Sequence, residues 1–266
     1  MARVLFFLLT CISFTGMIKA DVAPAIRVLI LHDKESADIE VKGKYKIFDP
    51  NKNTPLINLR LVGKSKPIEA LAGGLKWGEE FPGVFQINVV PQGSDTQIFV
   101  NGILYPGSIQ VYDVGGKISI VNELLVEDYL RFLLADRFDQ ELPDEALAAL
   151  IIAARTNAYY YSLNPKTRFW SVDGSKEGYR GFVNANPNNP IQRSIKNTRN
   201  MVMSKTGLYE GVITPFALHW DKGSIASKAV ASTISVNEVE EMAKNGAHAA
   251  AILDKAYPKT TIQMIR

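Results

Sequence analysis

The stretch Glu145-Ala146-Leu147-Ala148-Ala149-Leu150-Ile151-Ile152-Ala153-Ala154-Arg155-Thr156-Asn157-Ala158 decides the fold. These residues are mostly strong helix formers and are apolar on nearly every face. Pro143 and Asp144 precede them, as is typical of a helix start. The pattern predicts a helix from Asp144 to about Tyr161. Because a helix that is apolar all round must be covered on all sides, we expect it to form the buried centre of the molecule.

After its first turn this helix contains one charged residue, Arg155. An unpaired buried charge is very costly, so its guanidinium either forms an ion pair or faces a polar cleft that takes a ligand. The candidate partners are Asp136, Glu141 or another acid, and the sequence leaves both roles open. Acids also cluster around the end of the preceding predicted helix, where one could act as the general acid of a glycosidase-like site or simply be solvated. They are Glu127, Asp128, Asp136, Asp139 and Glu141.

Residues 26–121 predict an antiparallel sheet. Ile26–Leu31 is a short apolar run that suits a buried strand, and Ile39–Ile47 alternates apolar and polar residues as a half-solvated strand does. Asn101-Gly102 and Gly115-Gly116 are typical of tight hairpin turns. Further short strands are expected at Val84–Val90, Gln97–Val100, Ser108–Tyr112 and Lys117–Val121.

Helices dominate the second half of the chain. Leu130, Leu133, Leu134 and Phe138 recur at helical spacing and predict a helix from about Val126 to Phe138. Ser235 and Glu238 form a capping box that opens a helix ending near Asn245-Gly246, and a last helix is expected over about Ala247–Tyr257. The fold class is therefore α+β, with a β-rich part over residues 21–121 and a mixed helical part over residues 122–266 that together form one domain.

The first twenty residues have the pattern of a secretory signal. Arg3 precedes the apolar stretch Val4–Phe14, and Ala20 precedes the polar Asp21. We therefore expect an exported protein of the periplasm or cell envelope. A membrane anchor formed by an uncleaved signal is the alternative, and lipidation at Cys11 is a weaker one.

Composition excludes several classes of function. The chain has 266 residues, of which 47% are hydrophobic and 21% charged, so it is not a disordered chain. Residues 1–20 carry two basic residues and no acid, which leaves 28 basic against 27 acidic residues and a net charge of +1. That balance, without a Lys/Arg run, excludes a nucleic-acid partner.

No cofactor and no metal are expected. The only cysteine, Cys11, lies inside the signal, and the three histidines, His32, His219 and His248, are far apart in sequence. The chain has no Walker loop, no G-x-G-x-x-G and no G-x-S-x-G motif.

Two aromatic segments are candidate sugar-binding surfaces: Tyr159-Tyr160-Tyr161 and His219-Trp220-Asp221-Lys222-Gly223. Aromatic rings stack on the apolar faces of sugars while neighbouring polar groups bind hydroxyls. Aromatic residues on a helix also pack in cores, and that alternative stays open.

In this order, these motifs resemble the stage II sporulation protein D family, which includes the LytB-type amidase enhancers. The family pattern L-E-D-Y-L corresponds to Val126-Glu127-Asp128-Tyr129-Leu130, and A-A-R-T corresponds to Ala153-Ala154-Arg155-Thr156. Tyr105-Pro106-Gly107, Asn122, Tyr179-Arg180-Gly181 and a C-terminal segment from Val239 to Thr260 also correspond. The likeness covers about residues 26–264.

The resemblance implies that the protein binds the glycan strands of peptidoglycan during cell-wall remodelling at septation or division. Family members cleave these strands as lytic transglycosylases or assist an N-acetylmuramoyl-L-alanine amidase. Substrate-binding residues are then expected in the central helix and the loop after residue 216. They are Arg155, Thr156, Tyr159, His219, Trp220 and Lys222.

One departure bears directly on activity. The catalytic acid of the family belongs to an E-M-P step, and the ungapped position in this chain is Arg137, followed by Phe138. A guanidinium stays protonated at every working pH and cannot deliver a proton to a glycosidic oxygen. Asp136 and Asp139 are the candidate displaced acids. Three alternatives follow: a glycan-strand lyase with a displaced acid, a silent glycan-binding or amidase-enhancing protein, and a structural envelope protein.

Overall fold

The structure, a computed structural model, describes residues 23–52, 54–62, 64–135, 142–183, 189–216 and 235–265. The predicted signal peptide therefore lies outside the described residues. The described helices are α1 (Val126–Leu134), α2 (Asp144–Leu163), α3 (Gly174–Glu177), α4 (Pro190–Asn197), α5 (Val236–Lys244) and α6 (Ala249–Ala256). A single 3₁₀ turn covers Gly207–Tyr209.

The strands are short and mostly antiparallel. They are β1 (Ala25–Lys34), β2 (Ser36–Asp49), β3 (Thr54–Val62), β4 (Lys66–Leu71), β5 (Gly74–Trp77), β6 (Glu79–Pro82), β7 (Gln86–Pro91), β8 (Gln97–Val100), β9 (Ile103–Tyr105), β10 (Ser108–Val114), β11 (Lys117–Leu125), β12 (Val172–Asp173), β13 (Met201–Lys205) and β14 (Thr260–Met264).

Twelve of these strands form one sheet in the order β12-β1-β11-β10-β7-β2-β4-β5-β6, with β3 and β8 paired to β2 and β9 paired to β8. Every pairing in it is antiparallel except that of β1 with β12. Strands β13 and β14 form a separate antiparallel pair. The predicted α+β class is confirmed.

The two predicted hairpin turns are confirmed. Val100 pairs with Ile103 across Asn101-Gly102, and Val114 pairs with Lys117 across Gly115-Gly116. All four turn residues have positive φ, as a two-residue type I′ turn requires.

Helix α2 is the central helix, as expected from its apolar residues. Eleven of its twenty residues are buried, and it packs against α1, α4, α5, α6, β1 and β13. One hydrophobic core contains residues from both the sheet and the helices. Strand β11 leads directly into α1 and runs continuously through the expected boundary at residues 121 and 122.

Other expectations are confirmed with small shifts. Ser235 caps α5 and forms the reciprocal capping box with Glu238, and the helix ends at Lys244 with Asn245 as its C-cap. Helix α1 ends at Leu134, and the remaining residues of its expected extent, 136–138, lie outside the described residues. The sequence patterns did not predict β3–β6, β9, β12–β14, α3 or α4. No helix within the described ranges is long and apolar enough to cross a membrane.

Candidate functional site

Arg155 lies at the meeting point of four elements. Its side chain is 0% exposed, in the middle of α2. Its Nε and Nη2 donate to the two carboxylate oxygens of Glu127 on α1, at 2.8 and 3.1 Å. The other donations go from Nη2 to the carbonyl oxygen of Ile195 (3.0 Å), and from Nη1 to Thr198 Oγ1 (3.2 Å) and the carbonyl oxygen of Met201 (3.4 Å).

All five N–H donors of a guanidinium are thereby used, and the bidentate geometry with a carboxylate is the one that arginine favours. The ion-pair role that the sequence left open for Arg155 is therefore present, with Glu127 as the partner. The direct ligand contact expected of Arg155 stays a prediction. In this arrangement the carboxylate of Glu127 lies between the buried Arg155 and the solvent.

Glu127 is positioned by the junction of β11 with α1. The first helical residue, Val126, donates its backbone N–H to the carbonyl oxygen of Pro24 at 2.9 Å, which fixes the start of the helix. Glu127 and Asp128 follow in the first turn, where the helix dipole favours acidic residues. The Glu127 side chain is 25% exposed, so the carboxylate is held from behind by Arg155 and open to solvent in front.

Glu127 opens into a cleft of about 480 Å³ between α1 and the segment around α4. Its walls combine two apolar side chains, the exposed Leu125 and the buried Ile195, with polar and charged groups. The described residues that line it are Leu125, Glu127, Asp128, Arg131, Gln192, Ile195, Lys196 and Arg199. We call this space the α1–α4 cleft.

The rim of the α1–α4 cleft carries uncompensated positive charge. Arg131 forms an ion pair with Asp128 at 3.4 Å, and Arg155 neutralises Glu127. Lys196 and Arg199 are exposed and form no ion pair with any described residue. The cleft therefore presents a carboxylate that accepts hydrogen bonds at its floor and two free cations that attract anions at its edge.

The other predicted binding residues of α2 have different environments. Thr156 is buried, donates its hydroxyl to the carbonyl oxygen of Ile152 at 2.7 Å and accepts the backbone N–H of Met203 at 2.9 Å. This hydroxyl ties β13 to α2. Tyr159 is half-buried, one helical turn after Arg155 and on the same side of α2.

The remaining predicted site residues lie outside the described residues. They are Asp136, Arg137, Asp139, His219, Trp220 and Lys222. Their proposed roles stay predictions. No group of three or more residues that could hold a metal ion is found within the described ranges.

Several motif residues meet inside the protein rather than in the cleft. The hydroxyl of Tyr179 donates to Asn122 Oδ1 at 2.7 Å, and Asn122 Nδ2 donates to the carbonyl oxygens of Pro106 (2.6 Å) and Ser108 (3.1 Å). The ring of Tyr179 also packs against those of Tyr105 and Tyr129. We call Tyr105, Asn122, Tyr129 and Tyr179 the interior cluster. Burial, with neighbouring tyrosines and Asp128, raises the pKa of Tyr179.

The two Y-x-G motifs have a structural explanation. Gly107 and Gly181 have positive φ, and a side chain at either would collide with a backbone carbonyl, that of Glu123 or of Leu104. These glycines let the segments that carry Tyr105 and Tyr179 approach β11 and β9 closely.

Sequence reasoning missed the cleft residues on α4 and just after it. Glu127 stood among the candidate acids, but its pairing with Arg155 was not predicted. Lys196 and Arg199 were not candidates at all. Their helix had a readable start signal, since Asn189 caps α4 through its side chain and Pro190 is the first helical residue.

Comparison with known families gives one match. The family model described as "SpoIID: Stage II sporulation protein" matches residues 114–204. That range contains Glu127, Arg155, Lys196 and Arg199.

Similar proteins occur in two bacterial genera. An uncharacterized protein of Chlamydia pneumoniae is 32% identical over 239 residues, which cover 89% of this chain and 80% of the relative. One of Chlamydia muridarum is 29% identical over 244 residues, covering 91% and 78% respectively. One of Brachyspira hyodysenteriae is 29% identical over 177 residues, covering 65% and 46%. The chain belongs to the stage II sporulation protein D (SpoIID) family, whose role is directed at peptidoglycan.

Proposed function

We propose that this protein is exported and binds the glycan strands of peptidoglycan in the α1–α4 cleft. The observation that carries the proposal is the Glu127–Arg155 pair at the floor of a 480 Å³ cleft whose rim holds Lys196 and Arg199. The family assignment supports a cell-wall-related function. The signal-like residues 1–20 support export.

Peptidoglycan offers the groups that this cleft would take. Its sugars carry hydroxyls and acetamido N–H groups, which donate hydrogen bonds to an anionic carboxylate such as Glu127. Its muramic acid and peptide stems carry carboxylates, which the ammonium of Lys196 and the guanidinium of Arg199 would attract. A neutral polysaccharide would leave these two cations without partners.

The same geometry favours binding over cleavage. A general acid must hold a proton at the leaving oxygen. Glu127 is instead the anionic partner of a bidentate ion pair, and protonating it would leave the buried Arg155 charge uncompensated. The position that corresponds to the family's catalytic acid carries Arg137, whose guanidinium does not release its proton at working pH.

Two further roles fit a silent glycan-binding protein. One is the recruitment or stimulation of an N-acetylmuramoyl-L-alanine amidase at septation or division. The other is a purely structural role in the envelope. A lyase with Asp136 or Asp139 as the displaced acid is the catalytic alternative.

The test incubates the purified protein with peptidoglycan sacculi and measures both sedimentation with the sacculi and the soluble muropeptides. We expect co-sedimentation without anhydro-muramyl products. Arg137→Glu should create or raise the release of such products if the rest of the cleft is intact. Strong release by the parent protein, abolished by Asp136→Asn or Asp139→Asn, would contradict the silent role and identify the acid.

One variant and one control test whether the loop after residue 216 contributes to the binding of peptidoglycan. Trp220→Ala probes the predicted aromatic contact in the loop after residue 216. Glu210→Gln changes an exposed acid outside the cleft and serves as the control. Absence of co-sedimentation by the parent protein would remove the binding role altogether.

A further inference from the structure

A second cavity, of about 260 Å³, lies on the other side of α1 and α2, against α3 and β12. Its wall combines aromatic and aliphatic side chains, among them Tyr129, Ala158 and Phe216, with polar ones: Asn157, Tyr161, Lys176 and Glu177. None of the motif-based predictions assigned Lys176 or Glu177 a role. We call this space the α2–α3 cavity.

The wall at Phe216 is held in place by α2. Asn157 Nδ2 donates to the carbonyl oxygen of Phe216, and Asn157 Oδ1 accepts the backbone N–H of the same residue, both at 2.7 Å. The ring of Phe216 packs on that of Tyr257, with centroids 4.6 Å apart. The cavity therefore has a preformed wall, which lowers the entropic cost of binding a ligand there.

Glu177 is the unusual group of this cavity. Its side chain is half-buried, yet it forms no ion pair or hydrogen bond with any described residue. A partly desolvated carboxylate without a partner is unfavourable unless a cation or donor from outside meets it. Burial of the nearby Tyr161 ring raises the pKa of that tyrosine, and the charge of Glu177 raises it further.

Positive charge faces the same space. Lys176 is mostly exposed, and its Nζ lies 4.0 Å from Asp173, a weak contact. Lys166 and Lys205 are not among the residues that line the cavity, although Lys166 Nζ lies 5.2 Å from the centroid of the Tyr161 ring and Lys205 Nζ 5.9 Å from that of Phe216. The wall thus combines one carboxylate that has no partner among the described residues with one ammonium group, which suits a ligand that carries both charges.

We propose that the α2–α3 cavity binds the free α-amino-acid end of a peptide stem, a carbon that carries both an ammonium and a carboxylate group. Glu177 accepts hydrogen bonds from the ammonium, Lys176 pairs with the carboxylate, and the apolar wall covers the aliphatic chain behind it. The inference rests on the proposed peptidoglycan-directed function and adds the peptide state of the strand that is recognised. Stems whose diamino acid is not cross-linked present this group.

Two muramyl tripeptides test the charge requirement. In N-acetylmuramyl-L-Ala-γ-D-Glu-meso-diaminopimelate the side chain of the third residue ends in both an ammonium and a carboxylate. In the analogue with L-lysine at that position the side chain ends in an ammonium alone. Because one charge-assisted contact is lost, we expect the lysine analogue to bind about tenfold more weakly in calorimetry. Equal affinities would overturn the inference, and this arm needs no variant that must fold.

Variants assign the two contacts. Lys176→Met should remove the preference between the two tripeptides, and Glu177→Gln should weaken the binding of both. Lys64→Met and Glu210→Gln, which change exposed residues away from the cavity, should leave both affinities unchanged. A preference that persists in Lys176→Met would contradict the assignment. Thermal unfolding checks that the variants fold.

A third probe separates this inference from the proposed function. Glycan strands stripped of their peptides should bind the α1–α4 cleft whatever the α2–α3 cavity does. If these strands bind and neither tripeptide does, the inference fails and the proposed function stands. If tripeptides bind and stripped strands do not, the proposed cleft fails. Free meso-diaminopimelate binding as tightly as its muramyl tripeptide would show that the cavity takes a free amino acid, which overturns the assignment to a stem.

Discussion

The interior cluster and the α1–α4 cleft use motif residues in opposite ways. Asn122 and Tyr179 satisfy their hydrogen bonds within the protein, and the Tyr179 ring is enclosed by Tyr105 and Tyr129. Glu127, five residues after Asn122 in the chain, shows one face to the buried Arg155 and the other to solvent. One short segment thus serves the fold at Asn122 and, in the proposed function, a ligand at Glu127.

This difference teaches that a preserved motif is not by itself a preserved activity. The residues of the interior cluster serve the fold, because they connect β9, β10 and β11 to α1 and the segment after α3. In the proposed function the cleft residues contact the ligand, and the sequence position that corresponds to the family's catalytic acid carries Arg137, which lies outside the described residues. Arg155 belongs to both sets, since it holds Glu127 and joins four elements.

Removing Arg155 should have the largest effect on stability. Arg155→Met would leave Glu127 without its counter-ion and three further acceptors without donors. Breaking a buried pair in this way costs about 3–5 kcal/mol in the free energy of unfolding, which urea denaturation would measure. Arg155→Lys should recover little of it, since an ammonium cannot reproduce the fork geometry. A loss below about 1 kcal/mol would show that the pair is not a structural junction.

The apolar surroundings of α2 provide the reference for this value. Leu150 is 7% exposed in the core around α2, and Leu150→Ala should cost about 2–5 kcal/mol through lost apolar burial and the cavity left behind. Thermal or chemical unfolding measures it, and Leu163→Ala, at an exposed site of the same helix, is the control. Equal unfolding midpoints for Leu150→Ala and the parent would mean that the helix face has been misassigned.

Removing the side-chain amide of Asn122 from the interior cluster should destabilise the protein. Asn122→Ala removes the acceptor of the Tyr179 hydroxyl and the donor to two carbonyl oxygens, so buried polar groups lose their partners. We expect a loss of about 1–3 kcal/mol in the free energy of unfolding. Binding of peptidoglycan by the folded fraction should be unchanged. A binding defect at full stability would place Asn122 in the functional set instead.

Alkaline pH should destabilise the protein through its buried tyrosines. Burial raises the pKa of Tyr257 to about 12 and raises that of Tyr179. The unfolded chain loses these phenolic protons near pH 10, so the unfolded state becomes more favourable above that value. For Tyr257 the free energy of unfolding should fall between about pH 10 and pH 12. Tyr179→Phe or Tyr257→Phe should reduce this slope, whereas Tyr209→Phe, at an exposed residue, should retain it.

Much of the fold could be predicted because its signals are local. The capping box of α5, the two hairpin turns and the apolar length of α2 each depend on neighbouring residues. Strands β4 to β6 were missed because they are four to six residues long and carry several charged residues or prolines, such as Pro67 and Pro82, that obscure alternation.

The site was less predictable because it depends on contacts between distant segments. The need for a partner for Arg155 could be read from its apolar neighbours. The choice of Glu127, 28 residues away, follows from how α1 packs on α2. Lys196 and Arg199 belong to no sequence motif. They reach the cleft because α4 and the residues just after it lie beside α1.

The most direct test of the α1–α4 cleft is the affinity of the Lys196→Met/Arg199→Met double variant for peptide-stripped glycan strands, compared with the parent protein. Both side chains are exposed and unpaired within the described ranges, so the variant should unfold like the parent. Lys34→Met/Lys64→Met removes the same charge elsewhere and is the control. We predict a loss of about tenfold in affinity for the cleft variant alone, most evident at low salt. Equal affinities for the parent and the cleft variant would contradict the assignment of glycan binding to this cleft.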